Sequence, residues 1–252
     1  MSQDDPSSQK AYWEKAGEKG YYNEMFSSGD VGQRIIERLW TVALDIGAQL
    51  GMTPDARVLD LGCGDGSFAN RILAQHFRAV DGLDFTEAAI RRARAEATRS
   101  DVKFDICDLT REDLTQLPQY DGVFLIGILH HVKRYAPSII QALRKITTRV
   151  VALEPNGSHP VRKLLEHTAT YRAAGEDSFR TRDVIRMFEE AGFRTVVRRP
   201  FSLFPNFTPK IIYKGLSPLE PLVEATPILR EICTNNIYGF VAAPSPGAGN
   251  HK

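Results

Sequence analysis

Apolar residues in this chain fall mostly into short runs, and stretches with helical spacing lie between them. Short runs rich in Val, Leu, Ile and Phe predict buried strands, whereas the longer periodic stretches predict helices. The predicted strands cover residues 58–61, 78–84, 102–108, 120–127, 148–154, 193–200 and 237–242. Regular alternation of strands and helices is typical of the α/β class, so we predict one doubly wound, mainly parallel sheet.

Residues 1–50 precede the first predicted strand and have a mostly helical pattern. An amphipathic run covers residues 31–50, and aromatic residues cluster ahead of it. We predict that this segment is either a helical lid over a ligand site or a set of helices packed on the sheet. As a lid, it would bring Trp13, Tyr21 and Tyr22 into contact with a substrate.

Two stretches of the main domain, residues 51–242, are longer than a minimal α/β fold needs. Residues 157–177 contain a helical run, and residues 201–232 are apolar but interrupted by five prolines. Ligands of open α/β sheets bind outside the carboxyl ends of the strands, so we predict that both insertions border an acceptor pocket. For the second insertion, the alternative is an interface with another subunit in a homodimer. The candidate substrate residues in this part are Asn156, Phe204 and Phe207.

Composition limits the possible partners. The 252 residues carry a formal net charge of +1, which gives no electrostatic support for nucleic-acid binding. Three cysteines without a Cys-x-x-Cys pair are typical of a reducing compartment, so we predict a cytoplasmic protein. The polar residues 1–9 predict no leader peptide, residues 243–252 predict a loose tail, and no apolar run has the length of a membrane span.

A tight glycine turn follows the first predicted strand. Gly62, Gly64 and Gly66 alternate just after the acidic end of the strand at Asp60, and a helical pattern begins behind them. Glycines let a backbone approach a ligand closely, and N–H groups at a helix start bind polar groups. A carboxylate here would repel a pyrophosphate and attract a cationic amino acid, unless Asp60 instead caps the turn through backbone N–H groups. The spacing also differs from the G-x-G-x-x-G of dinucleotide-binding proteins.

The second predicted strand also ends in an acid. Asp84 lies 22 residues after Gly62, which is the distance expected for an acid that bonds ribose hydroxyls. Asp81 points to the opposite side of the same strand, so we expect it to be solvated. Thr86 is the expected N-cap of a helix at 88–97.

Two further motifs complete the series. Cys107 and Asp108 end the third predicted strand, and a Leu-His-His-Val segment at 129–132 follows the fourth. The series G-x-G-x-G, G-x-D, C-D and L-H-H-V resembles the class I S-adenosylmethionine-dependent methyltransferases, in particular the small-molecule branch with the ubiquinone-pathway and sugar O-methyltransferases. The resemblance covers about residues 56–154. It implies a Rossmann-like sheet of seven strands with the last one antiparallel, S-adenosyl-L-methionine as cofactor and a small organic methyl acceptor.

The resemblance also implies a role for each motif. The glycine turn with Asp60 would hold the methionine part of the cofactor, Asp84 the ribose, and residues 107–109 the adenine. The candidate cofactor residues are Asp60, Gly62, Cys63, Gly64, Gly66, Asp84, Phe85, Cys107, Asp108, Leu109 and Gly127. Among them, Cys63 and Cys107 are expected to be small packing residues and not nucleophiles, because no His or Cys stands at a useful spacing.

Two histidines follow the fourth predicted strand, where the methyl group of the cofactor would point. A hydroxyl acceptor has to lose a proton, and an imidazole at this place can take it. His131 matches the histidine that recurs in the family, so we predict it as the general base, with His130 as the alternative. Either ring could instead serve only to pack the start of a helix.

Other activities fit the sequence less well. Metal-assisted transfer to catechols would need acids after strands four and five, with an Asp-Asn pair. Residues 128–130 read Ile-Leu-His and residues 154–156 read Glu-Pro-Asn, without that pair, so we expect no metal. The N/D-P-P-Y/F motif of DNA amino-methyltransferases is absent, and the glycine spacing disfavours a nicotinamide dehydrogenase. We therefore predict methyl transfer to a hydroxyl of a hydrophobic or aromatic metabolite. Transfer to nitrogen or carbon, and a non-catalytic cofactor-binding regulator or partner subunit, remain alternatives.

Overall fold

The computed structural model describes residues 6–19, 30–168, 172, 177–205 and 208–244. Within these ranges, seven strands form a single sheet. They are β1 Arg57–Leu61, β2 Ala79–Asp84, β3 Val102–Ile106, β4 Gly122–Ile126, β5 Arg149–Pro155, β6 Phe193–Phe201 and β7 Asn235–Ala242. Every predicted strand is present, and its ends differ from the prediction by two residues at most.

The order of the strands in the sheet is β3-β2-β1-β4-β5-β7-β6. The five strands from β3 to β5 pair in parallel, whereas β7 runs antiparallel to both β5 and β6. The predicted fold class, including the antiparallel last strand, is therefore confirmed. Since the order of the chain reverses between β1 and β4, a crevice lies outside the carboxyl ends of these two strands.

Helices cover both faces of the sheet. The α-helices are α1 Pro6–Lys19, α2 Asp30–Gln49, α3 Ala74–His76, α4 Glu87–Glu96, α5 Ala136–Ile146, α6 Pro160–Leu165, α7 Thr181–Glu190, α8 Lys210–Leu216 and α9 Glu220–Ala225. A π-helical turn, Ala69–Leu73, leads into α3, and 3₁₀ turns cover Leu114–Gln116, Leu129–Val132, Ser217–Leu219 and Leu229–Ile232. The helical run predicted in the first insertion is thus helical through α6, and part of its remainder lies outside the described residues.

The central strands are buried on both sides, which explains their unbroken apolar sequences. In β4, Phe124 points into one core together with Ile46 of α2, and neither side chain is exposed. The next residue, Leu125, points into the opposite core with Ile140 of α5 and Phe188 of α7. Helices α2 and α4 therefore cover one face of the sheet, and α5 and α7 cover the other.

Asp81 is not solvated, contrary to our expectation. Its Oδ2 accepts hydrogen bonds from Nε of Arg57 at 3.1 Å and from the hydroxyl of Tyr120 at 2.8 Å. Both partners belong to neighbouring parts of the sheet, because Arg57 begins β1 and Tyr120 lies just before β4. Burial and the nearby Asp81 carboxylate raise the pKa of the Tyr120 hydroxyl. The acid therefore links β2 to the start of β1 and to the residue before β4, three positions before the tip of β2.

Two findings bear on the predicted compartment. The three cysteines, Cys63, Cys107 and Cys233, are free and buried. In the described part of the chain, no helix is both long enough and apolar enough to cross a bilayer. A cytoplasmic location stays a prediction.

Candidate ligand site at the carboxyl ends of the strands

The glycine turn after β1 has a backbone that only glycine adopts readily. Gly62, Gly64 and Gly66 have φ angles of +79°, +54° and +73°. A Cβ atom on Gly62 would lie 2.6 Å from Cγ1 of Ile128, and one on Gly66 would lie 2.7 Å from Cβ of Ala93. Both conformation and close packing therefore require glycine here.

Backbone hydrogen bonds tie this turn to the end of β2. The N–H groups of Gly62 and Cys63 both donate to the carbonyl of Leu83, at 2.7 and 3.0 Å. The N–H of Gly64 donates to Oδ2 of Asp84 at 3.0 Å. The structure thus brings together the first two motifs that the sequence analysis singled out.

Asp60 is buried beside this turn with only 1% of its surface exposed. Its Oδ2 has no hydrogen-bond partner among the described residues. Burial is the largest cause that raises the pKa of Asp60, to about 8, and the nearby carboxylates of Asp84 and Asp65 raise it further. The turn N–H groups described above donate to β2 and not to Asp60. A buried carboxylate in this setting is stabilised as an anion only when a cation binds next to it.

Asp84 lies at the tip of β2, as predicted. Its Oδ1 accepts the N–H of Thr86 at 2.9 Å, in addition to the bond from Gly64. Burial raises the pKa of Asp84, and the hydrogen bonds from Thr86 and Gly64 oppose that rise. The backbone carbonyl of Asp84 accepts the N–H of Cys107 at 2.9 Å, so the end of β3 also reaches this site. Thr86 is the N-cap of α4, as predicted, although its side chain makes no capping hydrogen bond.

The segment after β3 is held by its own side chains. Oδ1 of Asp108 accepts hydrogen bonds from the N–H and the hydroxyl of Thr110, at 3.0 and 2.7 Å, and Leu109 packs against the core. Burial raises the pKa of Cys107 to about 12 and that of Cys63 well above its ordinary value. Both side chains are therefore protonated thiols at neutral pH, which agrees with a packing role.

The segment after β4 is organised around a buried acid, Glu154, at the end of β5. Its Oε1 accepts the N–H of Leu129 at 3.0 Å, and its Oε2 accepts the N–H of His130 at 3.2 Å. Nδ1 of His130 lies 2.9 Å from the same Oε2, and because a carboxylate only accepts, Nδ1 carries the proton. Gly127, with φ of +70°, makes the bend between β4 and this 3₁₀ turn. Glu154 was not among the predicted site residues, although an acid that ends an apolar strand is a visible signal in the sequence.

His131 lies between the other histidine and helix α1. Its ring centroid is 4.0 Å from that of His130 and 4.9 Å from that of Trp13, which meets it edge to face. Trp13 also forms a small apolar cluster with Ala16 and Phe85. Helix α1 therefore places one indole ring between the residue after β2 and the histidine after β4.

Polar contacts fix α1 over the start of α4. The carboxylate of Glu14 accepts the N–H groups of Glu87 and Ala88, at 3.3 and 3.4 Å. Close packing supports these bonds, since a Cβ atom on Gly17 would lie 3.1 Å from the backbone nitrogen of Ala89. An acid at a helix start is favourable because it accepts N–H groups that have no partner within the helix. Glu14 was not among the predicted site residues, because its partners are more than 70 positions away along the chain.

The predicted substrate residues do not lie together at one place in the structure. Nδ2 of Asn156 donates to the carbonyls of Glu231 and Cys233, at 3.0 and 2.9 Å. Phe204 is buried in the core, where its ring centroid is 5.5 Å from that of Tyr213. Trp13 is near His131, as described above, and the remaining predictions, Tyr21, Tyr22 and Phe207, lie outside the described residues. Contact of any of these residues with an acceptor stays a prediction.

The site as a whole suits a ligand that carries positive charge. Asp60, Asp65 and Asp84 are all nearly buried around the glycine turn. Histidine rings stand at the neighbouring strand end, on the other side of the crevice. Across the residues that the structure describes, no group of three or more His, Cys, Asp or Glu side chains is arranged to hold a metal ion.

Comparison with known protein families agrees with this geometry. The sequence profile described as "Methyltransferase domain" matches residues 59–158, which run from β1 to just beyond β5 and include every motif of the site. Residues 59–158 are thus similar to a methyltransferase domain. The class I fold predicted from the motif series is confirmed by the sheet order with the antiparallel last strand.

Curated relatives match this methyltransferase domain over part of their length. The ubiquinone biosynthesis O-methyltransferase of Rickettsia bellii is 27% identical over 143 residues, which is 57% of this chain and 55% of that protein. The protein of the same name from Alkalilimnicola ehrlichii is 33% identical over 106 residues, 41% of this chain and 42% of that one. The chain thus spans about half the length of the curated relatives that it matches.

The fold of this chain is similar to that of solved structures over almost its whole length. Magnesium protoporphyrin IX methyltransferase from Synechocystis PCC 6803 is 19% identical with a TM-score of 0.66, and the match covers 95% of this chain and 100% of that one. The [4+2]-cyclase SpnF has the same TM-score at 15% identity, with 94% and 97% covered. Because one fold serves a methyltransferase and a cyclase, the activity has to be argued from the site.

Proposed function

We propose that this protein transfers a methyl group from S-adenosyl-L-methionine to a hydroxyl of a small hydrophobic or aromatic metabolite. The observation that carries the proposal is the buried Asp60 carboxylate, whose Oδ2 has no hydrogen-bond partner among the described residues. The ammonium group of the cofactor's methionine part would bond this oxygen and neutralise the charge. When bound, S-adenosylmethionine supplies a methyl carbon activated by its sulfonium sulfur.

The other residues of the site fit the rest of that cofactor. Asp84 stands at the tip of β2 with both carboxylate oxygens able to accept further hydrogen bonds, as ribose hydroxyls require. Residues 107–109 lie next to it after β3 and would border the adenine. The protein's main contribution is then to align acceptor, methyl carbon and sulfur, which can lower the barrier by roughly 7–11 kcal/mol.

The two histidines would divide the remaining work. In the reaction, the acceptor oxygen forms a bond to the methyl carbon, the carbon–sulfur bond breaks with its electron pair left on sulfur, and the hydroxyl proton goes to a base. We assign the base to His131, which is more exposed than His130 and contacts Trp13 of the lid. His130, fixed by Glu154, would hold the neighbouring ring in place as a positioning residue.

An oxygen acceptor is supported by the relatives, which are named O-methyltransferases. A hydrophobic or aromatic acceptor is supported by the apolar side chains next to His131. Trp13 and Phe85 form the apolar cluster there, and an aromatic acceptor ring would pack favourably against an indole.

The proposal is tested by binding first and turnover second. Calorimetry is expected to detect adenosylhomocysteine binding and no NAD binding, and Asp60→Asn should weaken adenosylhomocysteine about 10-fold or more because a charge-assisted bond is lost. The purified protein is then incubated with methyl-labelled adenosylmethionine and a panel of phenols, catechols and amines, and we expect a labelled methyl ether. Tight NAD binding would overturn the assignment of S-adenosylmethionine as the cofactor. Labelled amines alone would indicate an N-methyltransferase, and cofactor binding without transfer to any acceptor in cell extracts would indicate a regulator.

A further inference from the structure

Large apolar side chains are exposed mainly in one part of the molecule. Of the twelve exposed large hydrophobic residues among those described, eight lie within residues 211–232. They are Ile211, Ile212, Leu216, Leu219, Leu222, Ile228, Leu229 and Ile232, and we call this set the apolar face. Two of its members, Ile211 and Ile228, are 83% exposed. A concentration of this kind marks an interaction surface, since scattered single residues are the usual pattern.

The apolar face points outward because the other side of the same segment is bound to the protein. Helix α8, the 3₁₀ turn Ser217–Leu219 and α9 follow each other without a break. Tyr213, Glu220 and Glu224 lie on one side of this segment, at helical spacing. Tyr213 packs on Phe204, and both carboxylates accept hydrogen bonds from the guanidinium of Arg38 on α2.

Backbone hydrogen bonds fix this orientation further. Oε1 of Glu220 accepts the N–H of Leu203 at 2.9 Å, and Oε1 of Glu224 accepts the N–H of Ser202 at 2.9 Å. Glu220 is only 3% exposed, whereas Leu222, which lies on the opposite side of α9, is 63% exposed. The segment is thus the reverse of an ordinary surface helix, because its acidic side faces the protein and its apolar side faces outward.

Charge determines which partner this surface suits. Over residues 208–232, all of which the structure describes, the exposed charged side chains are Lys210, Lys214 and Glu231. Glu231 is ion-paired with Arg198 at 2.8 Å, and Glu220 and Glu224 are turned inward. Exposed apolar side chains with lysines beside them are typical of segments that bind the surface of anionic bilayers. A two-fold dimer through this face would bring the two lysines of each copy into one interface, where the only exposed acid among residues 208–232, Glu231, is already ion-paired with Arg198.

We propose that the apolar face docks onto the surface of a bilayer that contains anionic lipids. Its apolar side chains enter the boundary between headgroups and acyl chains, and Lys210 and Lys214 contact the phosphates. The docking needs no membrane-spanning helix and does not depend on the methyl acceptor. It would place the domain, with its crevice, next to the lipid phase.

The test is vesicle co-sedimentation of the full chain. One set of vesicles mixes phosphatidylglycerol with phosphatidylcholine, and the other contains phosphatidylcholine alone. We expect binding to the first set, weaker at high salt. The double variant Lys210→Glu/Lys214→Glu should lower the partition coefficient about 30-fold or more, and Ile211→Ser/Leu222→Ser should also abolish most of the binding. Leu164→Ser is the matched control, because Leu164 is 72% exposed elsewhere and its loss should change nothing.

Each other outcome contradicts the proposal. Equal binding to both vesicle types would show that anionic lipid is not required. Binding that survives both double variants would show that the apolar face is not the docking surface. A dimer in light scattering that Leu222→Ser dissociates, without vesicle binding, would assign the face to a second copy. A monomer that binds neither vesicle would overturn the proposal outright. Adenosylhomocysteine affinity, measured on every variant, checks that the fold is intact and keeps this result separate from the proposed function.

Discussion

Glu154 holds His130 at two points, through the backbone N–H at 3.2 Å and through Nδ1 of the ring at 2.9 Å. We predict that Glu154→Gln lowers the free energy of unfolding by about 2–3 kcal/mol, because one amide oxygen cannot replace a carboxylate that accepts three N–H groups. The kcat should fall as well, because the His130 ring that packs on His131 is then no longer held by a carboxylate. Thermal melts and steady-state rates measure the two effects.

Glu166→Gln is the control for that prediction. Glu166 is also a buried glutamate, and it accepts the N–H of Ser178 at 3.1 Å in a different part of the fold. Its replacement should lower stability without lowering the kcat of the folded protein. If Glu154→Gln also lowers stability alone, Glu154 only supports the fold and does not position the histidines.

His131→Ala is expected to reduce kcat by about 10²–10⁴ for a hydroxyl acceptor, while adenosylhomocysteine affinity changes little. The reason is that the acceptor then has no base to take its proton. The wild-type rate should fall toward acid pH, as the imidazole takes up a proton. His130→Ala is measured alongside. If kcat falls in His130→Ala and not in His131→Ala, the assignments of base and positioning residue are reversed. If both variants keep their kcat, neither histidine is the base and catalysis rests on alignment of the reactants alone.

The raised pKa of Asp60 predicts that the ligand-free protein loses stability with increasing pH. The folded state keeps the Asp60 proton up to a pH of about 8, whereas the unfolded chain releases it near the ordinary value of 3.8. The folded state therefore binds more protons between these values, and stability falls across that window. We expect Asp60→Asn to be more stable than wild type by several kcal/mol above pH 8, at about 1.4 kcal/mol for each unit of pKa shift, with the difference vanishing near pH 4. Denaturant titrations at several pH values test this. The same pH dependence of the free energy of unfolding in wild type and Asp60→Asn would contradict it.

Cofactor binding should reverse this effect. An ammonium group beside Asp60 favours its anion, so binding below pH 8 expels a proton. Adenosylhomocysteine affinity should therefore rise up to about tenfold per pH unit toward pH 8 and level off above it. Calorimetry in buffers with different ionisation enthalpies counts the released proton, and Asp60→Asn should release none.

Asp84 and Asp81 form a matched pair on one strand. Asp84→Ala should weaken adenosylhomocysteine by about 1.5–3 kcal/mol, because it removes a charge-assisted acceptor for ribose hydroxyls. Asp81→Ala breaks the contacts with Arg57 and Tyr120 at the other end of the sheet, so it should lower stability and leave affinity unchanged. Equal losses of affinity in the two variants would mean that Asp84 acts only through the fold.

The two tryptophans allow a response of helix α1 to ligand binding to be observed. Trp13 contacts His131, whereas Trp40 is packed on Phe68 inside the core. We predict that adenosylhomocysteine changes the intrinsic fluorescence of the wild type and of Trp40→Phe, and that Trp13→Phe loses most of this change. A signal that follows Trp40 instead would mean that α1 does not respond to the cofactor.

The clustering of the glycine turn, Asp60 and Asp84 was predictable because its signals are local in sequence. The alternating glycines, Asp60 and Asp84 each stand at a strand end, and a parallel sheet brings those ends together. The roles of Asp81 and Glu154 were not predictable in this way. Asp81 is bound by Tyr120, and Glu154 is bound to His130, so both contacts depend on which strands are neighbours and in what register.

The orientation of the second insertion also lay beyond the sequence. Its apolar composition predicted an acceptor wall or a subunit interface, and both readings assumed only that it was buried against something. The outward direction of Leu222 follows from the bonds between Arg38 and the two glutamates of α9, and Arg38 is more than 180 residues away in sequence. Composition therefore indicated an interaction surface but not the side on which it lies.

Helix α1 contacts the two halves of the crevice at once. Glu14 bonds the residues after β2, and its chain neighbour Trp13 packs on His131 after β4. A movement of α1 as a rigid helix away from the sheet would therefore break both contacts together. Methylated product and spent cofactor would leave through a single opening event, and fresh cofactor and acceptor would enter through the same one. The lifetime of the closed state would then set an upper limit on how many turnovers each second allows, whichever acceptor is used.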